Sequence, residues 1–223
     1  MTEFIRMTNI FKKLNNSSEG KNLIHHLDKF LEYDDANTHL GWEKWLQYEM
    51  IYLLSSDGTK LRTPRLEAPF EYDNTIALPK YKSTRKSAKI DLVYDIHGNI
   101  KKTNKFHAIE LKVKKGIASC FKQGLTDLFR LQAICDDLWD FRSVTGILLF
   151  SGQFGNSGNY FDLTNALKSN SNINFEIIPV TDSYTAVFVG WKSRPKQSSR
   201  SAYATWCKEI TSICEHHHIN VWE

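Results

Sequence analysis

Two stretches, Lys89–Ile96 (KIDLVYDI) and Phe106–Val113 (FHAIELKV), decide how this chain is read. Both are rich in β-branched and aromatic residues, the composition of strands, and His97-Gly98-Asn99 between them carries a turn signal, with Lys101 to Lys105 extending the loop. Side chains alternate along a strand, so Glu110 and Lys112 share one face while Leu111 points to the other. Asp91 lies on the neighbouring strand. Two acids and a base are therefore expected side by side on segments otherwise fit for a core.

Outward from this pair, the pattern alternates between helix and strand. Ahead of it, Trp42, Trp45, Leu46, Glu49, Met50 and Leu53 recur on one side of a helix from about Gly41 to Leu54, with Glu43 and Gln47 on an adjoining side. From Leu61 to Pro79, three prolines suggest a loop with at most one edge strand. Behind it, Ala118, Phe121, Leu125, Leu128, Gln132, Cys135 and Leu138 repeat at helical spacing. Ser143 to Phe150 is a continuous apolar run, as in a strand covered on both faces. A short helix near Asp162 to Lys168, strands near Asn174 to Pro179 and Tyr184 to Trp191, and a helix within Ser198 to Ile213 complete the order. It predicts an α/β or α+β domain with a mixed central sheet flanked by helices. The expected division is a helical extension over residues 1–40, a core over 41–195 and a C-terminal helix and tail over 196–223.

The chain has 223 residues, 41% apolar and 24% charged, ordinary for a globular protein, and a formal charge of +4. That charge permits a nucleic-acid partner without requiring one. Its clustering is more informative. Lys80, Lys82, Arg85, Lys86 and Lys89 stand just before the Asp91 strand with no acid among them, the pattern expected of contacts to a phosphate backbone. A solvated face explains such a run equally well. No apolar run is long enough to span a membrane and no secretion signal is visible, so a cytoplasmic setting is the expectation. Cys120, Cys135, Cys207 and Cys214 are too scattered for a disulfide framework. Cys207, Cys214, His216 and His218 include zinc-type ligands but lack a tight CxxC spacing. The loop SGQFGNSG, from Ser151 to Gly158, lacks the Gly-Lys-Ser/Thr ending of a P-loop, and no Gly-x-Ser-x-Gly elbow exists.

Paired carboxylates from adjacent strands supply the oxygen ligands that Mg²⁺ or Mn²⁺ prefers, and a lysine beside them can neutralise charge developing on a phosphate. In this respect residues 41 to 150 resemble the PD-(D/E)xK nuclease superfamily. Asp91 matches its first acidic motif and Glu110-Leu111-Lys112 its (D/E)xK motif, although Ile90 stands where the motif's proline would be. The resemblance implies a restriction-endonuclease-like core and a DNA endonuclease working in restriction, defence, repair or mobile-element processing. It implies Asp91, Glu110 and the Leu111 carbonyl as Mg²⁺ or Mn²⁺ ligands, Lys112 as an aid to water activation, and Glu43 as a supporting acid from the first core helix. Lys122 or Gln123, on the helix after the motif, would contact nucleic acid beside the basic run. DNA is expected over RNA, with no membrane partner, and a homodimer or accessory protein partner is left open. The competing expectation is a non-catalytic nucleic-acid-binding or interaction subunit on the same fold.

Overall fold

The computed structural model describes residues 3–14, 17–33, 42–55, 58, 61–71, 87–96, 105–114, 116–132, 140–152, 158–170, 173–191 and 211–218. Their order is α1 (Glu3–Leu14), α2 (Ser18–Tyr33), α3 (Trp42–Ser55), β1 (Leu61–Glu71), β2 (Ser87–Ile96), β3 (Lys105–Lys114), α4 (Ile117–Gln132), β4 (Asp140–Ser151), α5 (Gly158–Ser169), β5 (Ile173–Pro179) and β6 (Tyr184–Trp191), with a further helical turn over 211–216. The six strands form one mixed sheet in the order β1-β2-β3-β4-β6-β5. Only the β3–β4 pair is parallel, joined through α4. The expected mixed sheet with helices is thus present.

Alternation along the strands splits the apolar residues between two cores. Val144, Leu148 and Phe150 of β4 pack with Phe121, Leu125 and Leu128 of α4 and with Leu163 and Leu167 of α5. Ile147 and Leu149 face the other way, towards Phe11 of α1, Leu23 and Leu27 of α2, and Leu46 and Met50 of α3. Burial on both faces is why β4 reads as an unbroken apolar run. The first helix, expected as part of an extension, packs on β4, β5 and α3. The Tyr94 hydroxyl of β2 donates to Glu3 Oε1 at 2.6 Å, and Arg6 holds both oxygens of Glu3 and the Leu54 carbonyl. No helix among the described residues is long and apolar enough to cross a membrane.

The segment expected to be mostly loop before β2 contains an 11-residue edge strand, β1. Its prolines fit because an edge strand leaves one row of N–H groups without ladder partners. The register shifts between Arg62 and Arg65, and Thr63 and Glu67 both hold left-handed backbone, at φ 46° and 51°. The second of these matters for the site. Leu66 lies on the α3 side of the sheet while Ala68 and Phe70 join the α4-side core, so β1 changes face at Glu67. Opposite it, Leu92 lies in the α3-side core and Ile90 in the α4-side core, so β2 changes face at Asp91.

Helix α4 sits close to the sheet because each partner offers a glycine to the other. A Cβ on Gly124 would run into the Leu148 side chain, and one on Gly146 would come within 2.7 Å of Leu128. Gly124→Ala gains about 1 kcal/mol of helix propensity, but overpacking a closed core costs about 1–3 kcal/mol. We expect a net loss measurable by urea unfolding, whereas Gly116→Ala, with open space around its Cβ, stays within about 0.5 kcal/mol of the parent.

Candidate active site

The β2–β3 ladder runs through Tyr94↔His107 and Val93↔Ala108 and ends at Leu92↔Ile109. One step further, the Asp91 carboxylate replaces the lost backbone partner: Leu111 N–H donates to Asp91 Oδ2 at 2.7 Å. The sheet opens here, and the opening gathers polar side chains from five elements, α3, β1, β2, β3 and α4. Alternation along β3 holds as expected. Leu111 is buried on the α3 side, while Glu110 and Lys112 face α4.

The Glu110 carboxyl lies beside that of Asp91, close enough for each to shift the other's titration. Burial pushes the Asp91 carboxyl up to about 6, against the hydrogen bond from the Leu111 N–H that favours its ionised form; the nearby Glu43 charge adds to the rise. Burial raises Glu110 well above the usual carboxylate range, and the charges of Asp91 and Asp127 raise it further. In the absence of a cation, both carboxyls are therefore biased towards their protonated forms, Glu110 being the more deeply buried.

Lys112 lies between two acids, with Nζ 3.1 Å from Glu43 Oε1 and 3.0 Å from Asp127 Oδ2. Burial alone would lower its pKa, but the charges of Asp127 and Glu43 overcome that and hold the ammonium above its usual range. Lys112 is a fixed positive charge. Glu43 comes from the first turn of α3, expected from the sequence, but its direct partner is the lysine rather than the carboxyl pair.

Gln47, one turn further along α3, is 1% exposed. Its Nε2 donates to Asp91 Oδ1 at 2.9 Å and to Glu67 Oε1 at 2.7 Å. Glu67 Oε2 in turn lies 3.5 Å from Lys89 Nζ. The other end of the amide, Gln47 Oε1, is buried without a hydrogen-bond partner among the described residues.

Sequence reasoning missed Asp127 and Glu67. Asp127 had a signal, because it follows Cys120 and Gly124 at spacings of seven and three on a face that is otherwise apolar. Glu67 had none, since left-handed backbone at a non-glycine leaves no local mark. Lys122 is half-buried and Gln123 exposed on α4, and neither joins the carboxyl pair. The run Lys80, Lys82, Arg85 and Lys86 lies outside the described residues, as does Cys207. Cys214 is buried in the α4-side core, where burial pushes its thiol up to about 12.

No three His, Cys, Asp or Glu side chains gather into a metal-holding group among the described residues. The donor set nevertheless suits a hard divalent cation. Asp91 is partly exposed, Glu110 is buried on the neighbouring strand, and the Gln47 amide bonded to Asp91 carries a buried oxygen without a hydrogen-bond partner among the described residues. A cation would offset the cost of burying the two carboxyls in ionised form.

Burial of the two carboxyls, with the Asp91 charge adding to it at Glu110, sets a pH dependence in metal-free protein. Both folded-state pKa values are raised, so the associated stability is complete below the unfolded values near 4 and is lost as pH rises through the folded ones, about 6 for Asp91. Asp91 alone accounts for a loss of about 3 kcal/mol between pH 4 and pH 8. Glu110→Gln keeps a donor to Asp91 without the second charge. In EDTA, denaturant unfolding across that range should show a flatter profile for the variant; parallel profiles would exclude the coupled pair.

No protein-family model, curated protein or solved structure matches this chain.

Proposed function

We propose that this chain is a divalent-cation-dependent phosphodiesterase acting on nucleic acid, most readily a DNA endonuclease of the PD-(D/E)xK type. The observation that carries this reading is the gathering of Asp91, held on the Leu111 N–H, buried Glu110 on the neighbouring strand, and Lys112 fixed between Glu43 and Asp127. The succession of α3, three antiparallel-paired strands, the α4 crossover and parallel β4 also agrees with the restriction-endonuclease-like core that the motif implies.

Asp91, Glu110 and the Leu111 carbonyl would hold Mg²⁺ or Mn²⁺. When bound, the cation polarises the scissile phosphate and lowers the pKa of a water molecule. The chain's own groups do the rest. Lys112 cannot take a proton from water near neutrality, because Glu43 and Asp127 keep it charged. Its contribution is electrostatic: it offers a fixed positive charge to the phosphate oxygens as negative charge builds on them. Glu43 and Asp127 orient the ammonium. Five carboxyl groups, Glu43, Glu67, Asp91, Glu110 and Asp127, face the ammonium groups of Lys112 and Lys89, so a polyanion approaches only once a cation has offset the excess.

The test is cleavage of plasmid, linear duplex and single-stranded DNA, and of RNA, with Mg²⁺ or Mn²⁺ and with EDTA. Glu110→Ala should abolish metal-dependent cleavage. Lys112→Ala should lower single-turnover cleavage at least about 100-fold, with DNA binding reduced much less. Cleavage that survives both Glu110→Ala and EDTA would overturn the assignment. A protein that binds DNA without cleaving it under any of these conditions would support the non-catalytic alternative.

A further inference from the structure

The geometry points to Gln47 as a neutral oxygen ligand of the same cation site, with its amide oriented by Glu67. This rests on the cation-dependent reading and extends it to residues outside the D…ExK motif.

The orientation of the amide follows from its partners. Nε2 carries two hydrogens, and each meets a carboxylate oxygen, on Asp91 at 2.9 Å and on Glu67 at 2.7 Å. Rotating the amide by half a turn would aim its oxygen at both acids, oxygen against oxygen. Glu67 is brought within reach by its left-handed backbone, φ 51°, at the point where β1 changes face. A non-glycine residue in that region costs on the order of 1–3 kcal/mol and persists only where its surroundings hold it.

With Nε2 committed, Oε1 is left buried and unpartnered among the described residues. A buried amide oxygen without a partner carries a desolvation cost that a bound ligand would offset. The place also suits a cation. Within one amide, oxygen and nitrogen lie about 2.2 Å apart, so Oε1 is at most about 5 Å from Asp91 Oδ1. Two oxygens on one Mg²⁺, each at about 2.1 Å, are separated by about 3–4 Å, which a small rotation of the glutamine reaches. A neutral third donor adds coordination without adding charge to a site already rich in acids.

The test compares Mn²⁺ binding, read from the EPR signal of free Mn²⁺, for the full-length parent, Gln47→Leu and Gln47→Glu, with near-UV circular dichroism as the check on folding. An oxygen ligand predicts at least tenfold weaker binding for Gln47→Leu and binding equal to or tighter than the parent's for Gln47→Glu, which keeps an oxygen there. A role limited to donating hydrogen bonds predicts that both variants weaken alike, since neither can donate, and that result overturns the proposal. So does parent-like binding by Gln47→Leu. Should Gln47→Leu not fold, Gln47→Glu decides by itself: binding at least as tight as the parent's supports the ligand role, and tenfold weaker binding overturns it. A parent that takes up no Mn²⁺ removes the cation site altogether, an outcome distinct from loss of the Gln47 assignment alone.

Discussion

Asp91 and Glu110 bring two carboxyl groups together where burial disfavours their charge, and the surrounding elements are arranged around that cost. The Leu111 N–H and the Gln47 amide both donate to Asp91. These donors favour its ionised form, yet burial wins and the carboxyl stays raised. A fold selected for stability alone would place an apolar pair here, because replacing buried charges by well-packed apolar groups is commonly neutral or stabilising. Retaining the pair makes sense where something positive is to be bound.

The backbone shows the same constraint. On β1 and β2, the apolar residues change face at Glu67 and Asp91, and the β2–β3 ladder stops one residue short of Asp91. Regular pleating would have carried Asp91 onto a packed face or closed the gap with backbone hydrogen bonds. Instead, a side-chain carboxylate takes over a ladder bond, and α3 reaches across the gap with Glu43 and Gln47. The irregularity of the sheet and the assembly of the site are one event.

This explains what could be read from the sequence. Glu110, Lys112 and Leu111 were placed correctly because β3 is regular there and period-2 alternation holds. The helix bearing Glu43 was legible from its apolar period, and strands β4 and β6 from apolar runs of strand length. Beyond that, the site depends on departures from periodicity. Edge strand β1 was masked by Pro64 and Pro69, whose missing N–H groups suggest a loop unless the strand is known to lie at an edge. Glu67 could not be foreseen, because its role comes from a backbone angle that no glycine or asparagine announces. Gln47 was recognisable only as a neighbour of Glu43, since what distinguishes it is the unpartnered oxygen.

Packing between α4 and the sheet bears on the position of Lys112 as directly as its two acidic partners do. Asp127 reaches Lys112 only because α4 lies close over β3 and β4, and that approach is set by Gly124 beneath Leu148 and Gly146 beneath Leu128. A lysine with Glu43 alone, 32% exposed, would have one well-hydrated partner and more freedom to move. With Asp127 on its other side, 19% exposed, the ammonium is fixed from both directions. Two small residues in an apolar interface therefore help determine where a positive charge sits in a polar one. Interiors are close-packed and transmit displacement rather than absorbing it, so the α4 interface and the Lys112 position cannot vary independently.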